Sequence, residues 1–173
     1  MLGIDNADGG GALKLDVDWF PTATASEILP RLWMGGLTEQ EHLGEPIEED
    51  HYSFDNPYDL IITLYADAQP APWGVVELRY GFPDDDISDD QITPCLHLAR
   101  YGWEQWRSGA NILIRCQQGV NRSGLVTVLV LMFDDMSAND AISLVRSRRG
   151  GAVLNNKAFE KWLREQAPKH LEV

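Results

Sequence analysis

The stretch ILIRCQQGVNRSGLVTVLVLM, residues 112–132, passes from a short apolar run into a long one, and a thiol, a glycine, a guanidinium and a hydroxyl occupy the junction. Asn111 to Cys116 reads as a strand and Ser123 to Phe133 as a helix. Only the five residues QQGVN separate Cys116 from Arg122, so the backbone must curl tightly. Such a curl turns successive N–H groups inward, toward the positive end of the helix dipole, and together they form a site for a phosphate or sulfate. Arg122 adds a forked guanidinium for two phosphoryl oxygens. Gly119 permits a backbone conformation that a Cβ would obstruct. Gln117, Gln118, Gly119, Val120, Asn121 and Arg122 are therefore the expected phosphate-binding residues. The same field favours the thiolate of Cys116, a nucleophile at neutral pH, and Ser123 can hydrogen-bond that sulfur and stabilise it as a leaving group. A lone cysteine ending a strand would be an inert small hydrophobe, and a lone arginine merely the start of a helix. The whole string C-x-x-G-x-x-R-S-G between a strand and a helix argues for chemistry instead.

Outward from this junction, strands and helices alternate. Ile28 to Gly36 reads as a short strand stopped by two glycines, YDLIITLYA as a buried parallel strand, and VVELRYGF, residues 75–82, as another. Between Asp89 and Arg107 the apolar residues recur every three or four positions, which predicts a helix with acids at its start. SANDAISLVRSRR and NNKAFEKWLREQA predict two more. The expectation is an α/β fold with a mostly parallel sheet covered on both faces. Residues 44–58, rich in turn formers and acids, read as a surface loop. Residues 1–12 read as a flexible lead-in to a single domain over 13–173. Trp73, Trp103, Trp106 and Trp162 are expected to pack in the interior.

Composition narrows the function. With 27 acidic against 14 basic side chains, neither nucleic acid nor an anionic membrane is an expected partner. No apolar run is long enough to span a bilayer and no secretion signal is evident, so a soluble, cytoplasmic protein is expected. Two cysteines, Cys95 and Cys116, are too few for a disulfide scaffold, and Cys95 reads as a buried structural thiol. His42, His51, His97 and His170 show no ligand spacing, so neither a metal nor another cofactor is expected. The oligomeric state stays open, a monomer being compatible with the sequence.

With these residues in view, the chain resembles the dual-specificity branch of the cysteine-based protein tyrosine phosphatases. SEILPRLWMGGL is similar to the family's opening strand, YDLIITL to its second core strand, ILIRCQQGVNRSG to its signature loop, and AISLVRSRRGGAVLNNKAFEKWL to its two C-terminal helices. One departure stands out: the family usually has histidine where this chain has Arg115. The positive charge of Arg115 either preserves the electrostatics of that position or points elsewhere. The resemblance implies a protein tyrosine phosphatase-like fold and a phosphocysteine intermediate. It also implies an aspartic acid some thirty residues upstream that protonates the leaving oxygen. In YGFPDDDISDD the candidates are Asp84, Asp85 and Asp86. Asp84 directly follows the strand and proline and fits the family's acid-loop pattern best. Asn155 resembles a family position that buttresses the signature loop.

The implied substrate is a phosphorylated protein or peptide. Phosphotyrosine leads, with or without phosphoserine and phosphothreonine, because QQGVN lacks the lysine or second arginine typical of more basic pockets for lipid or RNA substrates. The alternative is a phosphatase-fold module that binds phosphorylated partners without turning them over, a reading that Arg115 in place of histidine supports.

Overall fold

The computed structural model describes residues 19–44 and 56–171. The expected lead-in and most of the 44–58 loop lie outside the described residues. Strands β1 (Ala25–Leu29), β2 (Leu32–Gly35), β3 (Leu60–Thr63), β4 (Val76–Arg79) and β5 (Ile112–Arg115) form one sheet in the order β1-β2-β5-β3-β4. β5 is central and parallel to both neighbours, and only the edge strand β1 runs antiparallel. The segment read as one strand over Ile28 to Gly36 is instead the tip of a hairpin. Pro30 cannot continue a ladder, and Arg31 takes a left-handed φ of 69° to turn the chain. Both turn carbonyls are then used, by the Trp106 indole (2.9 Å) and the Ile112 N–H (2.8 Å).

Six helices complete the described chain: α1 (Glu39–Leu43), α2 (Asp89–Arg107), α3 (Arg122–Phe133), α4 (Ala138–Arg149), α5 (Lys157–Glu165) and α6 (Pro168–Leu171). The helix expected over 89–107 has those bounds. Pro94 lies inside it and leaves the Asp90 carbonyl without its helical donor, and the Tyr80 hydroxyl takes that place at 3.4 Å. Ser137 and Asn156 cap α4 and α5 through their side-chain oxygens.

Strand alternation divides the sheet into two chemically different faces. Leu32, Ile112 and Leu60 form one row across it and Met34, Ile114 and Ile62 the next; both rows belong to the main core under the helices. α3 is buried from Arg122 to Met132, which is why its sequence lacks a polar face. The sheet is covered on both faces but unequally: among the described residues the second face carries α1 and connecting segments. Its outermost row is Gly35, Arg115, Thr63 and Arg79. Trp103, Trp106 and Trp162 pack as expected, but Trp73 is 77% exposed beside Gly74, where the chain turns into β4. Cys95 is buried in the core, as expected, and burial pushes its thiol up to about 12. No helix among the described residues is long and apolar enough to cross a membrane.

Glu160 on α5 ties the C-terminal helices together. It accepts from Arg146 on α4 and from Arg164 and Lys157 on its own helix. These bonds, that from Arg146 foremost, hold its carboxyl down at about 2, against partial burial that opposes them. A depressed carboxylate stabilises the fold above its unfolded value, and the contribution disappears as pH falls toward the folded one. Glu160→Gln should therefore lower Tm at pH 7 by roughly 2–4 °C per kcal/mol lost. Melting curves of the two proteins should converge between pH 4.5 and pH 2; a gap unchanged across that range would exclude the ion pair as the cause.

Candidate active site

The loop from Cys116 to Arg122 leaves the carboxyl end of the central strand and enters the N-terminus of the most buried helix. Ahead of the loop the sheet ladder continues, with Leu64 N–H donating to Arg115 O (2.8 Å) and Cys116 N–H to Gly35 O (3.2 Å). Within the loop, Gln117 O accepts from Leu37 N–H (2.9 Å), Val120 O from Leu154 N–H (3.3 Å) and Asn121 O from Leu125 N–H (2.8 Å). Gly119 O accepts from the Arg149 side chain at 2.6 Å. In a planar trans peptide the next N–H points the opposite way, so each pinned oxygen turns an amide toward the inside of the curl. The N–H groups of residues 117–124 donate to no protein acceptor among the described residues. Gly119 has φ of 66°, and a Cβ there would collide with the Arg149 guanidinium and the Gly35–Gly36 backbone.

The candidate nucleophile lies at the base of this cradle. Cys116 is 2% exposed, and its Sγ is 3.3 Å from Ser123 Oγ. Arg122, also buried, donates from one terminal nitrogen to Phe82 O at 3.0 Å, and its guanidinium lies 5.3 Å from the Tyr65 ring centroid. Its Nε is buried and has no partner among the described residues. A buried donor left this way is costly unless something else satisfies it.

The acid loop meets the cradle through two asparagines. Asn121 donates to one Asp84 oxygen at 3.0 Å and Asn156 to the other at 2.9 Å. Asn156 also donates to Asp85 O (3.0 Å), while its N–H reaches Asn121 Oδ1 (3.0 Å). Of the three candidate acids, only the Asp84 carboxylate is thus bonded to the loop; Asp85 and Asp86 are exposed beside it around an open cavity of about 440 Å³. The buttressing assigned to Asn155 falls instead to Asn156, which also caps α5. Asn155 is exposed. In NN either residue could fill the role; the start of the next helix, one residue later, is the signal that selects the second.

The family model of the dual specificity phosphatase catalytic domain matches residues 77–168, more than half of the chain, including the acid loop, the cradle and the helices that hold them. The chain belongs to this family. As a dual specificity phosphatase domain it is a cysteine-based protein phosphatase by class. Its fold is similar to human DUSP28 (22% identity, 89% of this chain and 99% of that chain, TM-score 0.68). It is similar also to a mouse putative dual specificity phosphatase complexed with zinc tungstate (24% identity, 86% and 89%, TM-score 0.66). Tk-PTP in its active form matches with 26% identity over 87% of this chain and 97% of that chain, TM-score 0.64. No curated protein sequence matches the chain.

Where the family usually has histidine, Arg115 of this phosphatase points away from the sulfur. It occupies the polar row on the second face, while Ile114 and Cys116 belong to the core under the helices. There it donates to Glu41 (2.9 Å), Thr63 Oγ1 (3.1 Å) and Gln69 O (2.6 Å), with Glu77 at 3.5 Å. Burial pushes the Glu77 carboxyl up, but Thr63, the Ala71 N–H and the cations Arg79 and Arg115 outweigh it and hold it below its usual value. The charge of Arg115 is therefore neutralised within the sheet. Tyr65, Asn156 and Arg149 are the contacts that sequence reasoning did not find.

Removing the guanidinium alone would leave the buried Glu41 carboxylate without the cation it pairs with and Glu77 with Arg79 alone. Arg115→Met should cost about 3–5 kcal/mol of stability, while kcat measured well below Tm stays close to that of the parent chain. Unchanged melting with a collapsed kcat would put Arg115 into the chemistry instead.

Proposed function

We propose that the chain hydrolyses phosphotyrosine in proteins, with phosphoserine and phosphothreonine as further substrates, through a phosphocysteine intermediate. The single observation that carries the reading is the cradle: unpaired backbone amides and the buried, unpartnered Nε of Arg122 surround the curl that begins at Cys116. A phosphoryl group offers three equatorial oxygens, the complement of such a donor set. The zinc tungstate in the mouse relative supports it, since tungstate is a tetrahedral oxyanion like phosphate.

In the first step the Cys116 sulfur attacks phosphorus in line. Arg122 and the N–H groups of Gln117, Gln118, Gly119, Val120 and Asn121 hold the equatorial oxygens. The S–P bond forms as the P–O ester bond breaks, and Asp84 gives its proton to the leaving oxygen. In the second step Asp84 takes a proton from water, which attacks phosphorus and releases inorganic phosphate. Ser123 Oγ then stabilises the departing sulfur through the contact already present at 3.3 Å. Apart from Arg122, the loop has no cationic side chain, which favours a singly phosphorylated residue over a more highly charged substrate.

Hydrolysis of p-nitrophenyl phosphate should vanish in Cys116→Ser, which should still bind a phosphotyrosine peptide. Binding without any release of phosphate by the parent chain would favour the non-catalytic module instead.

Asp84→Ala should lower kcat by roughly 10²–10⁴-fold on alkyl and unactivated phenyl phosphates, and far less on p-nitrophenyl phosphate, whose leaving group needs little protonation. Asp85→Ala and Asp86→Ala should be mild; an equal loss in either would move the acid to that residue. Arg122→Lys should raise KM and lower kcat together, because an ammonium cannot reproduce the forked contact.

A further inference from the structure

Arg149 is the last residue of α4 and is 5% exposed. Burying a guanidinium is costly unless both its hydrogen bonds and its charge are matched. The hydrogen bonds are matched. Nε donates to Gly119 O at 2.6 Å, one terminal nitrogen to Ala23 O (3.3 Å) and Ser26 Oγ (3.2 Å), and the other to Thr24 O (3.2 Å). The charge is not, because no carboxylate among the described residues lies within ion-pair distance. Arg115, the other buried arginine with a full set of bonds, has Glu41 and Glu77. Burial pulls the Arg149 guanidinium down to about 10, and the group that pulls it back up is Cys116. Cys116 lies at the base of the cradle, and Arg149 reaches the same loop through Gly119 O.

The contact with Gly119 also has a geometric effect. Holding the Gly119 oxygen against Arg149 aims the Val120 N–H the opposite way, into the curl. The carbonyls of Gln117, Val120 and Asn121 are held by backbone N–H groups, whereas that of Gly119 is held by a charged side chain.

We propose that Arg149 is a positioning residue for the bound phosphoryl group, aiming the Val120 N–H into the cradle and adding a second buried cation behind it. This rests on the phosphatase reading of the same site. Around the cradle the other charged groups include Arg122 from α3 and Asp84, Asp85 and Asp86 on the rim, and Arg115 is neutralised on the far face of the sheet. A purely structural Arg149 would only tie residues 23–26 to the end of α4. Its loss would then lower stability without weakening an oxyanion in the loop.

Vanadate, a phosphate-like oxyanion, separates these cases when its Ki against p-nitrophenyl phosphate hydrolysis is measured beside Tm. Arg149→Met should raise the vanadate Ki by about 10–100-fold. Arg149→Lys, which keeps the charge and loses the fork, should raise it about threefold. Ser26→Ala, which removes a contact remote from the loop, should lower Tm and leave Ki unmoved. The proposal is overturned if Arg149→Met has the Ki of the parent chain. Should Arg149→Met fail to fold, it is overturned by a parental Ki in Arg149→Lys or by a Ki in Ser26→Ala that rises as far as in Arg149→Lys. A parent chain that neither hydrolyses the ester nor binds vanadate overturns the phosphatase reading together with this one; an active parent with an unmoved Ki in Arg149→Met overturns this one alone.

Discussion

The chain has five residues in which to leave the central strand and enter the most buried helix, and that constraint organises the rest of the structure. A curl so short can point its amides inward only if its carbonyls are taken up outside it. The acceptors are met by Leu37 after β2, Leu154 after α4 and Arg149 at the end of α4. β2 flanks β5 directly, so the sheet order itself brings the first of these donors to the loop. The buried α3 then presents its N-terminus to the same space, where its free N–H groups and partial positive charge add to the cradle.

Much of this was legible in sequence because it is local. The strand, the turn and the helix at residues 112–132 show in apolar runs, and the amphipathic period of 89–107 marks α2 to the residue. Asp84, the candidate acid that directly follows the strand and proline, is the one whose carboxylate meets Asn121 and Asn156. The Ile28–Gly36 hairpin was misread although its signal was present, since a proline inside a strand-like run marks a break. The illegible parts are long-range. Asp84 meets Asn156 across 72 residues, Arg115 meets Glu41 across 74, and Arg149 meets Thr24 across 125. No periodicity in a single chain reports such pairs.

Arg115 shows how partial information misleads. Its adjacency to Cys116 suggests that its charge acts on the sulfur, but neighbours on a strand point to opposite faces, and period two already separates them. What the sequence could not disclose was which face holds the helices and where the balancing carboxylates lie. With Glu41 and Glu77 in place, the arginine ties α1 and the 68–71 segment to the sheet. Tyr65, which faces Arg122, lies in the connection that this network holds from beyond.

A net charge of −13 and an anion-binding site coexist because the two act over different distances. Exposed carboxylates are screened within roughly 10 Å at ordinary ionic strength, so their field slows the approach of a phosphate without reaching deep into the loop. Inside the cradle, donors are fixed and shielded from water, and each interacts more strongly with a dianion than a surface lysine would. On the proposed reading, placing the cations Arg122 and Arg149 under the surface, instead of around the rim, concentrates attraction where the phosphoryl group would bind. On the same reading, the acidic exterior, including Asp84, Asp85 and Asp86 at the mouth, would discriminate against free polyanions while a phosphate carried on a less acidic peptide could still enter.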